Sequence, residues 1–140
     1  MAAVSVPALP AQDLPEGPGK AVMQSVCTKC HDLKQVAARK RTATDWGMTV
    51  DDMITQGAKA TDAQVGAILD YLIANFRKPF NVNLATAKNL EAELELATPE
   101  AEAIVAYRGQ NGPFKSLDDL KKIPGLDATK VDAAKEWIAF

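Results

Sequence analysis

Histidine occurs once and cysteine twice in this chain of 140 residues. No apolar run approaches the roughly twenty residues that a membrane-spanning helix needs, so the sequence offers no span. A structural zinc site takes four ligands, mostly cysteine or histidine, and only three such residues exist here. With no second histidine, and with both cysteines drawn into one motif, no acid–base or nucleophilic constellation stands out. The chain is therefore not expected to be an enzyme.

The scarce residues are concentrated in one pentapeptide. Cys27-Thr28-Lys29-Cys30-His31 has the C-x-x-C-H form of a covalent c-type haem attachment site. Two thioether bonds would fix the porphyrin, and His31 would lie under the iron as proximal ligand. A thioredoxin-like dithiol would need a strand and a βαβ setting, whereas the flank Lys20 to Val26 is helical in pattern. A merely structural pair of cysteines would leave the adjacent histidine without a role. The expected cofactor is thus one covalently attached haem c.

Composition, 47% hydrophobic and 24% charged, is that of an ordinary globular chain long enough for one medium or two small domains. The Ala- and Pro-rich start, Met1 to Pro18, has no basic n-region and only a short apolar stretch, so it makes a poor signal peptide and reads as a flexible lead-in. Since thioether attachment belongs to exported proteins, the expected location is periplasmic, with a leader missing from this form. Charge divides the halves: nine Lys and Arg face eight Asp and Glu through Lys78, and seven face ten from Pro79 onward, giving +1 and −3.

Apolar spacing predicts a helix from Gly19 to His31, with Val22, Met23 and Val26 on one side. A basic, irregular stretch follows from Asp32 to Thr42, with Lys34, Arg39, Lys40 and Arg41. Thr44 is expected to cap a second helix running to about Gln56, before Gly57. Thr61-Asp62-Ala63-Gln64 forms a capping box for a third helix, in which Val65, Ile68, Leu69, Leu72, Ile73 and Phe76 line one face until Arg77-Lys78-Pro79 ends it.

Gly19, Met23, the C-x-x-C-H and a late helix with Asp70-Tyr71-Leu72 together resemble the small class I cytochrome c fold, over about Gly17 to Phe76. The resemblance implies that the first and last helices cross near Gly19 and Tyr71 and enclose the haem. A unit this short would need the haem as part of its core.

A single histidine rules out a bis-histidine haem and leaves methionine, lysine, water or nothing on the distal side. At about 100° per residue along the second helix, Trp46, Val50, Met53 and Ile54 share a side, while Met48 points away with Asp51 and Thr55. Met53 is the expected distal ligand, with Met48 the alternative. The stretch Arg41 to Trp46, with Val50-Asp51-Asp52-Met53 and Gly57-Ala58, is similar to a short-loop group of bacterial cytochrome c domains, some attached to periplasmic dehydrogenases. That likeness also implies Met53 as ligand. Arg41 and Trp46, with Arg39 behind them, are candidates to hold the haem propionates, with a solvated basic loop as the alternative.

From Phe80 the character changes. Asn81-Val82-Asn83-Leu84-Ala85-Thr86, Ala103 to Arg108, Asn111-Gly112-Pro113-Phe114 with Ser116 to Leu120, and Ile123-Pro124-Gly125-Leu126 follow in order. This series resembles the tandem helix-hairpin-helix domain of competence-type DNA receptors and of a photosystem II extrinsic subunit, from Asn81 to about Ile138. In DNA-binding members a Gly-hydrophobic-Gly turn brings backbone N–H groups to phosphate. Here the first hairpin, Leu94-Glu95-Leu96-Ala97-Thr98-Pro99, has no glycine, and the second has Asp127 where the second glycine would fall. These acidic turns on a half-chain of charge −3 oppose the electrostatic attraction that dominates DNA affinity.

The expected architecture is all-α: a lead-in over 1–18, a monohaem cytochrome c domain over 19–78 and a tandem helix-hairpin-helix domain over 79–140. The expected function is single-electron transfer between redox partners, an iron-bound electron transport role, with the second domain serving for docking or stability and DNA an improbable partner. The alternatives are a haem-linked DNA-binding sensor and a fixed electron-relay subunit of a periplasmic dehydrogenase.

Overall fold

A computed structural model of the protein describes residues 14–140. The expected lead-in falls mostly on residues 1–13, outside the described residues. At its end Leu14 is buried, and the Tyr71 hydroxyl donates to the Pro15 carbonyl at 2.6 Å, so 14–15 belong to the first packed unit.

The first unit consists of helices α1 (Lys20–Cys27), α2 (Lys34–Ala37), α3 (Ala43–Thr55) and α4 (Asp62–Phe76). Helix α1 stops at Cys27 rather than running to His31; Thr28 closes it by donating both its N–H and its hydroxyl to the Gln24 carbonyl. The basic stretch expected to be irregular contains the single-turn α2, begun by Asp32, whose side chain accepts from the Lys34 N–H. The cap of α3 is Thr42, not Thr44; its hydroxyl accepts from the Asp45 N–H at 3.1 Å. Helix α4 has the expected Thr61–Gln64 capping box, bonded in both directions.

Helices α1 and α4 pack closely because Gly19 has no side chain. Its φ is +88°, and a Cβ there would meet the Ala67 carbonyl oxygen at 2.4 Å, so only glycine fits. Met23, Val26, Trp46, Val50, Ile68, Tyr71, Leu72 and Phe76 form the buried core of this unit.

The second unit begins with strand β1 (Phe80–Asn81) and continues through α5 (Ala87–Leu94), α6 (Thr98–Asn111), α7 (Leu117–Lys121), α8 (Ala128–Ala133), a 3₁₀ turn and β2 (Ile138–Ala139). The strands pair in parallel, Phe80 with Ile138 and Asn81 with Ala139, and join the two ends of the unit. Its own core is Leu90, Leu94, Ile104, Phe114, Leu120, Ile123 and Val131 with their neighbours. The molecule is therefore mostly helical, as expected, with two adjacent cores.

The units meet at Glu93, a side chain of α5 that is only 4% exposed. Its carboxylate accepts from the Ala43 and Thr44 N–H groups at 3.3 and 2.9 Å and from the Thr44 hydroxyl at 2.8 Å. It also faces Arg77 at 3.0 Å, and the same guanidinium donates to the Glu93 carbonyl and lies over the Trp137 ring. A carboxylate from the second unit thus caps α3 of the first, where the helix dipole favours negative charge.

Candidate functional site

Helices α1, α3 and α4 surround a largely apolar cavity of about 300 Å³. Five of the six residues singled out in the sequence line it: Cys27, His31, Arg41, Trp46 and Met53. Cys30 does not; it is exposed, and both thiols are free. Burial pushes the Cys27 thiol above its ordinary range, which keeps it protonated and unreactive. His31 Nδ1 lies 2.7 Å from the Asp32 carbonyl oxygen, so the Nδ1–H donates to it. Met53 lies at the cavity with Val50 and Ile54, while Met48 is 61% exposed and outside it.

Two of these residues are engaged otherwise than the sequence suggests. The Trp46 indole N–H donates to the Phe76 carbonyl at 2.9 Å, so it is occupied in tying α3 to the end of α4 rather than free for an anion. Arg41 sits over the Trp46 ring, and its buried Nε has no partner. Among the described residues no group of three or more His, Cys, Asp and Glu gathers in the manner of a metal site.

The second unit holds two helical hairpins. In the first, α5 ends at Glu95 in the left-handed conformation (φ 53°, ψ 40°), and Leu96-Ala97 leads into α6. In the second, α7 passes through Ile123-Pro124-Gly125-Leu126, with Gly125 at φ 81°, to Asp127, which caps α8 by accepting from the Thr129 N–H. A Cβ at Gly125 would meet nothing within 4 Å, so this glycine serves backbone conformation and not packing.

Glu100 joins the two turns. Its carboxylate accepts from the Ala97 N–H at 2.9 Å and from the Asp127 N–H at 3.0 Å, and it pairs with Lys130 at 3.2 Å. The two backbone bonds hold its carboxyl below the usual range, with Lys130 adding to the effect. Asp127 is held low by its own bonds to Thr129. Sequence reasoning marked the acidic residues of the turns but missed Glu100; its position three residues after Ala97 is the spacing of a capping-box acid and could have drawn attention to it.

Residues 76–139 match the family model of the helix-hairpin-helix motif. The chain is 34% identical over 58 residues to ComE operon protein 1 of Bacillus subtilis (strain 168), an alignment that covers 41% of this chain and 28% of that protein. It is likewise 34% identical over 58 residues to Endonuclease/exonuclease/phosphatase family domain-containing protein 1 of Rattus norvegicus, covering 41% of this chain and 10% of the relative. This chain thus spans about a quarter or less of the relatives it matches. No solved structure matches.

These findings overturn the electron-carrier reading. The matched family is a helix-hairpin-helix motif and not a cytochrome, so the class I cytochrome c domain, the haem c cofactor and the electron transport role are corrected. The physical reason lies in the size of the two signals. C-x-x-C-H fixes three residues within one turn at the end of α1, whereas the hairpin match engages 76–139, a whole folded unit with its own core. The expectation that DNA is an improbable partner is corrected by the same match. Periplasmic location was argued from haem attachment and loses that support. Over residues 76–139, the chain carries a helix-hairpin-helix motif with similarity to ComE operon protein 1.

Proposed function

We propose that residues 76–139 are a nucleic-acid contact module whose partner is duplex DNA, engaged through the sugar–phosphate backbone. The role is one of binding, with no reaction assigned to the chain. One observation carries this reading: the segment that matches the helix-hairpin-helix motif folds as two hairpins bonded turn to turn through Glu100. The similarity to ComE operon protein 1, and the competence-type resemblance in the sequence, supply the partner class. Gly125 supports the reading from geometry, because its left-handed backbone turns over open space with no side chain to hold a phosphate away.

The acidic turn residues Glu95, Glu100 and Asp127 bring negative charge to the same end of the module. The expected affinity is that of non-specific contact, with dissociation constants on the order of 10⁻⁴ to 10⁻⁶ M near physiological salt. Fluorescence anisotropy with a labelled duplex at 50 and 200 mM salt tests the reading. Binding that weakens steeply with salt, and weakens further in Gly125→Val, is the expected result. A flat titration to about 100 μM protein at 50 mM salt would overturn it.

A further inference from the structure

The C-terminal module has the hairpins of a DNA-contacting unit and an unfavourable charge for that task, −3 from Pro79 onward. Its own cations are largely spoken for. Lys121 pairs with Asp132, Lys122 with Asp119 and Lys130 with Glu100, while Arg108 donates to the Val82 carbonyl. Lys88, Lys115 and Lys135 are left, on three separate segments.

Free positive charge lies on the other unit, directly beside the junction. Residues 33–44 contain Lys34, Arg39, Lys40 and Arg41 and no acid. This stretch is bridged in parallel to the segment that leads into the module: the Arg41 N–H donates to the Phe76 carbonyl at 3.1 Å, and the Lys78 N–H donates to the Arg41 carbonyl at 2.9 Å. The bridge sets Lys78 next to the basic loop. Lys34, Arg39, Lys40 and Lys78 are exposed, and among the described residues none of them, nor Arg41, takes part in an ion pair. Arg77, the remaining cation here, is the one neutralised, by Glu93.

We infer that the ridge formed by Arg39, Lys40 and Lys78 is a second DNA-backbone contact, which supplies the electrostatic attraction that the acidic hairpins lack. The inference rests on the reading of the module as a DNA contact. Unpaired, exposed cations gathered by a backbone bridge release counterions when they meet phosphate, whereas cations already paired with carboxylates gain much less. The partner is a polyanion rather than a small anion, because three exposed cations on two bridged segments exceed what one small anion would neutralise.

The test uses the full chain and a labelled duplex of about 25 base pairs, titrated from 50 to 200 mM salt. Arg39→Gln, Lys40→Gln and Lys78→Gln together are compared with a control that removes the same charge elsewhere on the first unit, Lys20→Gln, Lys29→Gln and Lys59→Gln. Five of the six side chains are exposed and that of Lys20 is half-buried, and unchanged circular dichroism and melting establish that both variants are folded. The ridge variant is expected to bind at least about tenfold more weakly at 100 mM salt, with a salt slope reduced by about 2 to 3, close to one for each phosphate that is no longer neutralised. The control should stay within about twofold of the parent. Equal weakening in ridge and control variants overturns the ridge as a contact and leaves the module reading standing. Failure of the parent chain to bind at 50 mM salt overturns the module reading, and the ridge inference with it.

Discussion

The two units of this molecule use similar lengths of chain to opposite effect. The second closes a core of fourteen buried residues and pairs three of its seven cations with its own carboxylates, one of them through the Glu100 bridge. The first packs Leu14 and nine further buried residues around a cavity of about 300 Å³ and leaves its basic loop unpaired. One unit is closed within itself; the other holds a cavity between its helices and uncommitted charge. The difference shows that good local helix signals do not guarantee a filled core. Helices α3 and α4 are both well capped and in direct contact, yet residues of both line a cavity.

The largest effect expected on this comparison comes from Glu93→Ala, which would strand Arg77 and uncap α3 at the seam. Breaking such a buried pair from one side costs about 3 to 5 kcal/mol. The units should then melt separately, which Trp46 and Trp137 can report in paired single-tryptophan variants; a single shared transition would show that the seam holds without Glu93.

Next in size is the contrast between the cores. Leu120→Ala, in the filled core, should cost about 3 to 4 kcal/mol, and Leu72→Ala, on the cavity wall, nearer 2, because a side chain facing a void is packed on one side only. Urea denaturation of both variants measures it, and equal destabilisation would mean that the cavity wall is as well packed as the second core.

Glu95→Gly should stabilise the second unit by about 1 kcal/mol, since glycine adopts the left-handed conformation of that turn without the penalty of a side chain. A rise in melting temperature confined to that unit is the readout. Smallest is the pH response. Glu100, Asp119 and Asp127 all have carboxyls held below the ordinary range by hydrogen bonds. Their stabilisation is complete above the unfolded values and is lost as pH falls through the lower folded ones, so the second unit should weaken between about pH 5 and pH 2. In Asp127→Asn that acid dependence should be shallower, as followed by denaturant melts at Trp137.

Much of the helical layout was legible because its signals are local. The Thr61–Gln64 box and the apolar stripe of α4 appear in the structure as read, and helix phase separates Met53 from Met48. The crossing of Gly19 against Tyr71 is present too, but it came from the family resemblance and not from the residues' own pattern. Misreadings arose where a residue's partner lies far along the chain. Thr44 looked like a cap by its neighbours, but its hydroxyl serves Glu93, forty-nine positions away. Trp46 looked free, and its N–H is taken by Phe76, thirty positions on. The functional misreading had a related cause: a compact motif of scarce residues outweighed a diffuse resemblance spread over a whole unit, and the acidic turns were judged without sight of the unpaired cations at the Arg41–Arg77 bridge.

The parallel pairing of Phe80–Asn81 with Ile138–Ala139 sets the order in which the second unit can form. Two short strands so far apart in sequence gain little from each other until the chain between them is compact, because closing so long a loop is entropically unfavourable beforehand. Their pairing is therefore a final latch and not a nucleus. The amide of Val82, bonded to the Ala139 carbonyl at 3.0 Å, becomes a clock for the unit. Its hydrogen exchange records how often the latch opens, and truncating the chain at Trp137 would release the latch while leaving the hairpins their own local bonds.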